Sequence, residues 1–511
     1  MKKRIFSIII LTSLLLGSCS KIDDFLDVPP SKTSELEIKT FDQLNQLLNN
    51  YSAVFSEEVN QTATFSSDDY YLSSAMYDSD PSVFAISRVK YALWDSKFLP
   101  TNIGDDFWGN EYKKIFYANT VLTYLDQVSG GTVEQKNNLK AEAHFIRAYS
   151  NWVLVNTYCL PYTEANKNEP GLPIKQTISF EENAQRQSLA TTYQQIESDL
   201  TEALKISTPL VQSGRSVHWR ANKTAVNAFA ARYWLNRNDY NKALQYANEA
   251  LAGYSTLVDY NTQMRYGIPK TVTLDAGTAS QKNFTIQFPY THNNQVEYTD
   301  MIGWKEFLYF RMLANDSYWY IPSPELLNLY DKEHDLRYKY NVVEGYSYDR
   351  GMIKPSYNYP GYVFFYKNRI PSGPTVAEVL LTKAEAQAHL GNAAASMQTL
   401  NSLRAKRMVA GAWVNLSAAN KEDAIKKVSE ERRREMPFSQ RWFDVRRYNH
   451  NEIATDDILL KRSFYPFDNS IVLDDQKVQN YTLEKGSRRW AAPIPVSDIE
   501  ASNGVIEQNK Y

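Results

Sequence analysis

The stretch that decides the fold runs Ala231-Arg-Tyr-Trp-Leu-Asn-Arg-Asn-Asp-Tyr240, then Asn-Lys-Ala243-Leu-Gln-Tyr-Ala-Asn-Glu-Ala250. Ala231, Ala243 and Ala250 are spaced by 12 and then 7 residues, with Asn238-Asp-Tyr240 between two helical runs. Small residues at those offsets let two antiparallel helices approach closely, as in a tetratricopeptide unit, a helix–turn–helix of about 34 residues. A second unit is written downstream. Ala384 and Ser396 repeat the spacing of 12, Gly391-Asn392 supplies the turn, and Leu403 stands where the last small residue belongs. The two units are far apart in sequence and other copies are degenerate. The expected fold is therefore mainly α, an irregular tetratricopeptide-like scaffold of helical pairs with large loop-rich and short β-hairpin insertions. Such units hold surfaces in place and do no chemistry of their own.

Working outward, apolar periodicity predicts helices over Phe41–Leu48, Trp108–Gln127, Thr132–Tyr158, Leu189–Ile206, Thr224–Leu235 and Tyr240–Leu251. It resumes at Pro324–Asp331, Val376–Leu390, Ala393–Arg407 and Lys421–Glu435. Residues 256–320 are polar and aromatic without long helical periods, and Phe284-Thr-Ile-Gln-Phe288 reads as a strand. From Arg446 onward the pattern is irregular, hairpin-like and Pro-rich. The expected organisation is a signal peptide over 1–18, a lipid-anchored leader over 19–40, an N-terminal helical region over 41–255 and a C-terminal region over 256–511. The last divides into an irregular insert (256–375), a helical pair (376–407) and a helix with a C-terminal block (421–511).

The N-terminus adds a location. Lys2, Lys3 and Arg4 precede the apolar run Ile5–Leu16, which ends in Leu16-Gly17-Ser18-Cys19. This is a secretory signal with a lipoprotein cleavage box. The Cys19 thiol takes a thioether-linked diacylglycerol, and acylation of the new N-terminus (palmitate-type chains) completes a stable anchor. A run of about 12 apolar residues is too short to span a bilayer. Lys21-Ile-Asp-Asp24 resembles the short export signals of surface lipoproteins, so the expected location is the cell outer membrane, facing the exterior. A net charge of −2 gives no basic field for nucleic acid. With Cys19 lipidated, Cys159 has no partner and reads as a buried, inert thiol. The 36 Tyr, 22 Phe and 10 Trp are the compositional outlier, suited to gripping sugars or peptides, although most are expected at helix interfaces.

Several segments together carry a family resemblance. They are Asp24-Phe-Leu-Asp-Val-Pro-Pro30, Trp108-Gly-Asn-Glu-Tyr112 with Ile115 and Ala118-Asn119, and Ala141-Glu-Ala-His-Phe-Ile-Arg-Ala-Tyr149 with Tyr158 and Leu160-Pro161. Tyr193-Gln-Gln-Ile-Glu-Ser-Asp-Leu200 and Pro322-Ser-Pro-Glu-Leu326, with Tyr330, Asp335 and Arg337, extend the match. Glu431-Arg-Arg-Arg-Glu435, Phe438, Gln440-Arg-Trp-Phe-Asp-Val-Arg-Arg447, Pro493-Ile-Pro495 and Gln508-Asn-Lys-Tyr511 close it. Over its whole length the chain resembles the SusD/RagB outer-membrane nutrient-uptake lipoproteins of the Bacteroidetes kind. One departure is visible: many members carry an acidic-Gly pair after the phenylalanine, whereas a single Ser439 stands here before Gln440, which leaves the form of that turn open. Read from the residues alone, the interleaved arginines and carboxylates of 431–447 are expected to form a structural ion-pair network, with an anion site as the functional alternative, and Trp442 and Phe443 are expected to pin the tail to the helical body.

No enzyme motif stands out. The six histidines are isolated, no His-Glu-x-x-His, Gly-x-Ser-x-Gly or phosphate-binding glycine loop occurs, and Asp68-Asp69 and Asp78-x-Asp80 are unremarkable among 58 acidic residues. The expectation is a binding protein with no catalytic residue, cofactor or metal. Two aromatic-rich segments are the ligand candidates: Asp68–Trp94, with Tyr70, Tyr71, Tyr77 and Trp94, and Met301–Tyr320, with Trp304, Tyr309, Arg311 and Trp319. The resemblance implies a glycan platform built from these two regions, with Trp94 and then Trp304 first in rank; each ring has packing as its alternative role. It also implies a TonB-dependent, SusC-like transporter as partner in polysaccharide utilisation. Oligosaccharide is the leading ligand, with peptide or glycopeptide capture as the RagB-like alternative. A surface glycosidase and a pure scaffold are the readings from other classes.

Overall fold

The computed structural model describes residues 38–51, 55, 58–79, 81, 84, 88–97, 106–179, 181–212, 218–274, 277–279, 281–286, 303–315, 320–344, 359–365, 369–468 and 471–511. The expected signal peptide, Cys19, most of the expected leader and Trp319 lie outside them. The fold is mainly helical, as the periodicity predicts. Its principal helices are α1 (Phe41–Asn49), α2 (Asp106–Tyr124), α3 (Val133–Tyr158), α4 (Leu189–Ala203), α5 (Lys223–Asn236) and α6 (Tyr240–Gly253). After the insert come α7 (Val376–His389), α8 (Ala393–Arg404), α9 (Lys421–Glu435) and α10 (Arg441–Tyr448).

The helix starts follow local chemistry. Thr40 and Thr132 each form a capping box, with Gln43 and Gln135 three residues on, which satisfies amide donors that a helix start leaves unpaired. The two tetratricopeptide-like turns share one construction. Asn238 (φ 59°) and Gly391 (φ 85°) are left-handed residues just past α5 and α7. Asp239 and Asn392 then cap α6 and α8 by accepting from Lys242 N and Ala395 N. Glycine and asparagine tolerate this backbone best.

The helices pack in sequence, α2 on α3, α3 on α4 and α5 on α6, and then α6 lies against α7. The two units, separated by the long insert in sequence, are thus neighbours in space. Ala228, Ala231, Ala247 and Ala250 close on Val376 and Val379, with Leu308 of the insert beside them. Ala243 meets Leu235 and Ala386. The Tyr240 and His389 rings stack at 3.9 Å, 4° from parallel. On the other side α1 buries Phe41, Leu44 and Leu48 against Ala118, Val121, Ala143 and Ile146. The strands form short antiparallel pairs, among them Lys270–Leu274 with Lys282–Ile286, Met312–Ala314 with Arg369–Pro371, and Leu460–Phe464 with Gln479–Leu483.

One long-range element departs from the sequence reading. Residues 441–448, for which the periodicity predicts no helix and whose last three fall in the stretch expected to be irregular, form α10 with all eight residues buried. A helix buried all round has no polar face, so the periodic signal vanishes. Its charges are paired with carboxylates or, for Arg446, satisfied by the carbonyls of Trp490 and Cys159. Asp444 accepts from Arg432 and Arg447, and Arg447 also holds Glu385 of α7. The Trp442 ring stacks on Trp490 at 5.2 Å and Phe443 lies 5.1 Å from Trp152, so the expected pinning of the tail is present.

Candidate functional site

The chain from Ser66 to Tyr71 is fastened by charge to the C-terminal block. Arg441 donates Nε and Nη2 to Asp68 at 2.7 and 2.8 Å, a bidentate pair with directional strength. Arg433 donates Nε to Asp69 at 2.6 Å, and the backbone N of Phe438 donates to the other Asp69 oxygen at 2.9 Å. Burial opposes the charge on Asp68, yet the Arg441 and Arg433 guanidiniums hold its carboxyl well below the usual range. The carboxylate pair noticed in the sequence therefore serves anchorage. Ser323 ties the same loop to the insert, donating its N to Asp69 O and its Oγ to Asp68 O, both at 2.7 Å.

Aromatic rings gather on this frame. Tyr71 donates its backbone N to Ile321 O at 2.9 Å, and its ring meets Tyr359 at 5.3 Å, tilted by 34°. The Tyr359 hydroxyl donates to Pro322 O at 2.8 Å. Tyr77 presents an edge contact to Phe464 and Tyr465 at 5.7 and 6.0 Å, and the Tyr465 hydroxyl donates to Asp78 at 2.9 Å. Tyr71, Tyr77 and Tyr359 are half-buried, the state of a ring fixed by one side and open on another.

The other sequence candidates sit deeper. Trp94 is 4% exposed, with Nε1 donating to Ser66 O at 2.9 Å and the Arg462 guanidinium 5.4 Å from its ring. Expected to lead the platform, it is a core residue beside the fastened loop. Tyr70 is also buried, its ring edge-on to Phe65 at 4.9 Å. Trp304 is 7% exposed, held between Phe364 and Phe365 at 5.8 and 5.5 Å. Tyr309 lies against Phe145 and Tyr149 in the helical core, and its hydroxyl accepts from Arg311 Nη2 at 2.6 Å. Arg311 is fully buried. The fold thus brings Tyr70, Tyr71, Tyr77 and Trp94 to one region and sends Tyr309 and Arg311 to another. Sequence reasoning missed Tyr359, Arg462, Phe464 and Tyr465, which come from segments outside both aromatic clusters; only the apolar ends of Leu460-Lys-Arg-Ser-Phe464 hinted at a half-buried strand.

Among the described residues no group of three or more His, Cys, Asp or Glu is arranged to hold a metal ion, and no helix is long and apolar enough to cross a membrane. What the region offers is ring faces on a rigid, ion-paired support.

Known proteins share this architecture. A family profile described as starch-binding and associating with the outer membrane matches residues 24–235, and the profile of the SusD family matches residues 376–511. Among solved structures, a putative sugar binding protein from Bacteroides vulgatus is 19% identical, covering 93% of this chain and 99% of its own, with a TM-score of 0.61. A SusD superfamily protein from Bacteroides thetaiotaomicron is also 19% identical, over 92% of this chain and all of its own, with a TM-score of 0.61. A laminarin binding SusD-like protein is 17% identical over 92% and 99%, with a TM-score of 0.56. No curated protein matches the chain at a significant level. Two profiles at opposite ends of the sequence and full-length structural likeness between them agree: the chain belongs to the SusD/RagB family.

Proposed function

We propose that this protein is a lipid-anchored outer-membrane binding subunit that captures oligosaccharide at the cell exterior and delivers it to a TonB-dependent transporter. The ligand surface is the tyrosine group Tyr71, Tyr77 and Tyr359, with Trp94 and Tyr70 as its packed support. The observation that carries this reading is the Tyr71–Tyr359 pair, held by backbone and hydroxyl bonds and half open on a frame of buried ion pairs. Membership of a family with a starch-binding profile and a laminarin-binding structural neighbour supports glycan as the ligand class. The role is capture without bond cleavage. Lipidation at Cys19 tethers the body near its transporter and raises the effective concentration of each for the other.

A neutral sugar exchanges hydroxyl bonds with water for hydroxyl bonds with protein, so net affinity comes largely from ring faces. Stacking of a flat ring on an aromatic is worth about 1–3 kcal/mol in nucleic-acid proteins, a scale taken over here. Tyr71→Ala and Tyr77→Ala are each expected to weaken binding roughly 5- to 150-fold. A glycan array finds the ligand and calorimetry measures each variant. Binding of peptides in place of glycans would move the reading to peptide capture, and hydrolysis of the glycan would overturn it. Cys19→Ala is expected to lose labelling by an alkyne fatty acid, and a mild-detergent pull-down is expected to recover the transporter.

A further inference from the structure

A second concave site lies away from the tyrosine surface. Trp108, Tyr112 and Phe116 recur every fourth residue along α2 and so share one stripe. With Pro173 and, from the C-terminal tail, Ile506, they wall an open pocket of about 450 Å³, within the size range of small-molecule sites. Phe116 is 37% exposed there.

The hydrogen bonds of its rim state what it can hold. The Tyr112 hydroxyl donates to Pro173 O at 2.8 Å. Both Asn119 donors are used: Nδ2 donates to Lys175 O and Thr177 O at 3.1 and 3.0 Å, and Oδ1 accepts from Arg147 at 3.1 Å. Lys175 donates to Glu182 O, and the Thr177 hydroxyl donates to Glu182 Oε2 at 3.1 Å. The acid on the wall, Asp498, accepts from Ser497 Oγ at 3.3 Å. A polyol entering here would surrender water for walls where most side-chain donors are already engaged, at a cost for every hydroxyl left unpaired. An apolar body gains from the aromatic walls. Lys113 stands at the same pocket, exposed and with no ion pair among the described residues. We propose that this pocket is a second ligand site that takes a mainly apolar small molecule bearing one anionic group, such as an aryl or alkyl carboxylate or sulfonate, with Lys113 meeting the charge.

Anilinonaphthalene sulfonate is a suitable probe, titrated by fluorescence into the folded mature chain. Saturable single-site binding is expected. Gly109 lines the pocket, and a Cβ there would meet nothing within 4 Å. Gly109→Phe starts its side chain in open space at the pocket wall and is expected to weaken the probe about tenfold or more, with a melting curve recorded alongside to show that the fold is kept. Phe116→Ser is the second variant, removing a wall by truncation, and is expected to weaken the probe as well. Lys113→Gln is expected to weaken the sulfonate roughly 2- to 5-fold and leave neutral anilinonaphthalene unaffected. Non-saturable binding, undiminished binding by both pocket variants, or an equal effect of Lys113→Gln on both probes would overturn the proposal. Glycan binding by Gly109→Phe, read in parallel, is expected to match the wild type, because the two sites share no residue.

Discussion

At the scale of single residues, the backbone shows where the fold accepts local cost. Trp94 (φ 52°) and Phe438 (φ 64°) adopt the left-handed region with bulky side chains, which costs about 1–2 kcal/mol each. Phe438 is held by its N–H to Asp69 and by rings of Tyr320 and Tyr362 at 4.9 and 5.8 Å. The turn left open by the missing acidic-Gly pair is thus built with a phenylalanine where glycine would sit most easily. Trp94 follows Leu93, the C-cap of the short helix Val89–Ala92, and the next residue donates from Asp95 N to Lys90 O at 2.9 Å. Its side chain fills core, so Trp94→Ala is expected to cost about 3–5 kcal/mol of stability. A lowered denaturant midpoint, with normal glycan affinity in the fraction still folded, checks this. Tyr71→Ala separates from it by losing affinity at nearly unchanged stability. A ring in a loop-rich stretch looks the same in sequence whether it faces water or a roof. The roof over Trp94 includes Arg462, several hundred residues downstream, and no local pattern announces it.

At the scale of elements, the helices were legible where one face is apolar and a cap marks the start. Val133–Tyr158 begins one residue after Thr132, and Lys421–Glu435 matches its expected span. The alanine spacing also foretold close contact, and Ala231, Ala243, Ala250, Ala384 and Ser396 are all fully buried. It could not foretell that α6 would lie on α7, because that pairing spans the whole insert. Nor could it reveal α10, whose polarity is hidden by buried ion pairs. The shared turn geometry makes a test. Gly391 has φ +85° and open space around its missing Cβ, so backbone strain is the only penalty for a side chain. Gly391→Ala is expected to destabilise by about 1 kcal/mol. Asn238→Gly, at the matching place in the first unit, keeps a residue that tolerates the left-handed backbone and is expected to change stability by less than about 0.5 kcal/mol. Chemical denaturation of the two variants side by side measures the difference, and equal losses would remove the equivalence of the turns.

At the scale of the whole molecule, the N-terminal loop, the helical pairs and the C-terminal block are joined through buried charge and buried imidazole, which ties stability to pH. His389, at the α6–α7 seam, has neither ring nitrogen hydrogen-bonded. Burial, partly offset by Glu385 and helped by Arg447 and Lys421, pulls it down to about 4 from 6.5. Burial likewise takes His450 to about 4. A histidine with a depressed folded value is kept neutral by the fold, so its contribution is complete above 6.5 and is lost as pH falls from 6.5 through 4. The carboxyls of Asp68, Glu431 and Asp444, held low by arginines against the effect of burial, act in the same direction at lower pH. Their stabilisation is present above the ordinary carboxylate range and disappears as pH drops through the depressed folded values. Burial raises Asp456 to about 6 and lifts Asp69 and Glu306 as well, which opposes this loss in acid, so the histidine share is read as a difference between variants. His389→Phe keeps a flat ring against Tyr240 and cannot titrate. Between pH 6.5 and 4 the wild type is expected to lose about 2–3 kcal/mol more than this variant, read as a shallower fall in denaturation midpoint with pH. Parallel curves for the two proteins over that interval would show that His389 takes up its proton without opening the seam.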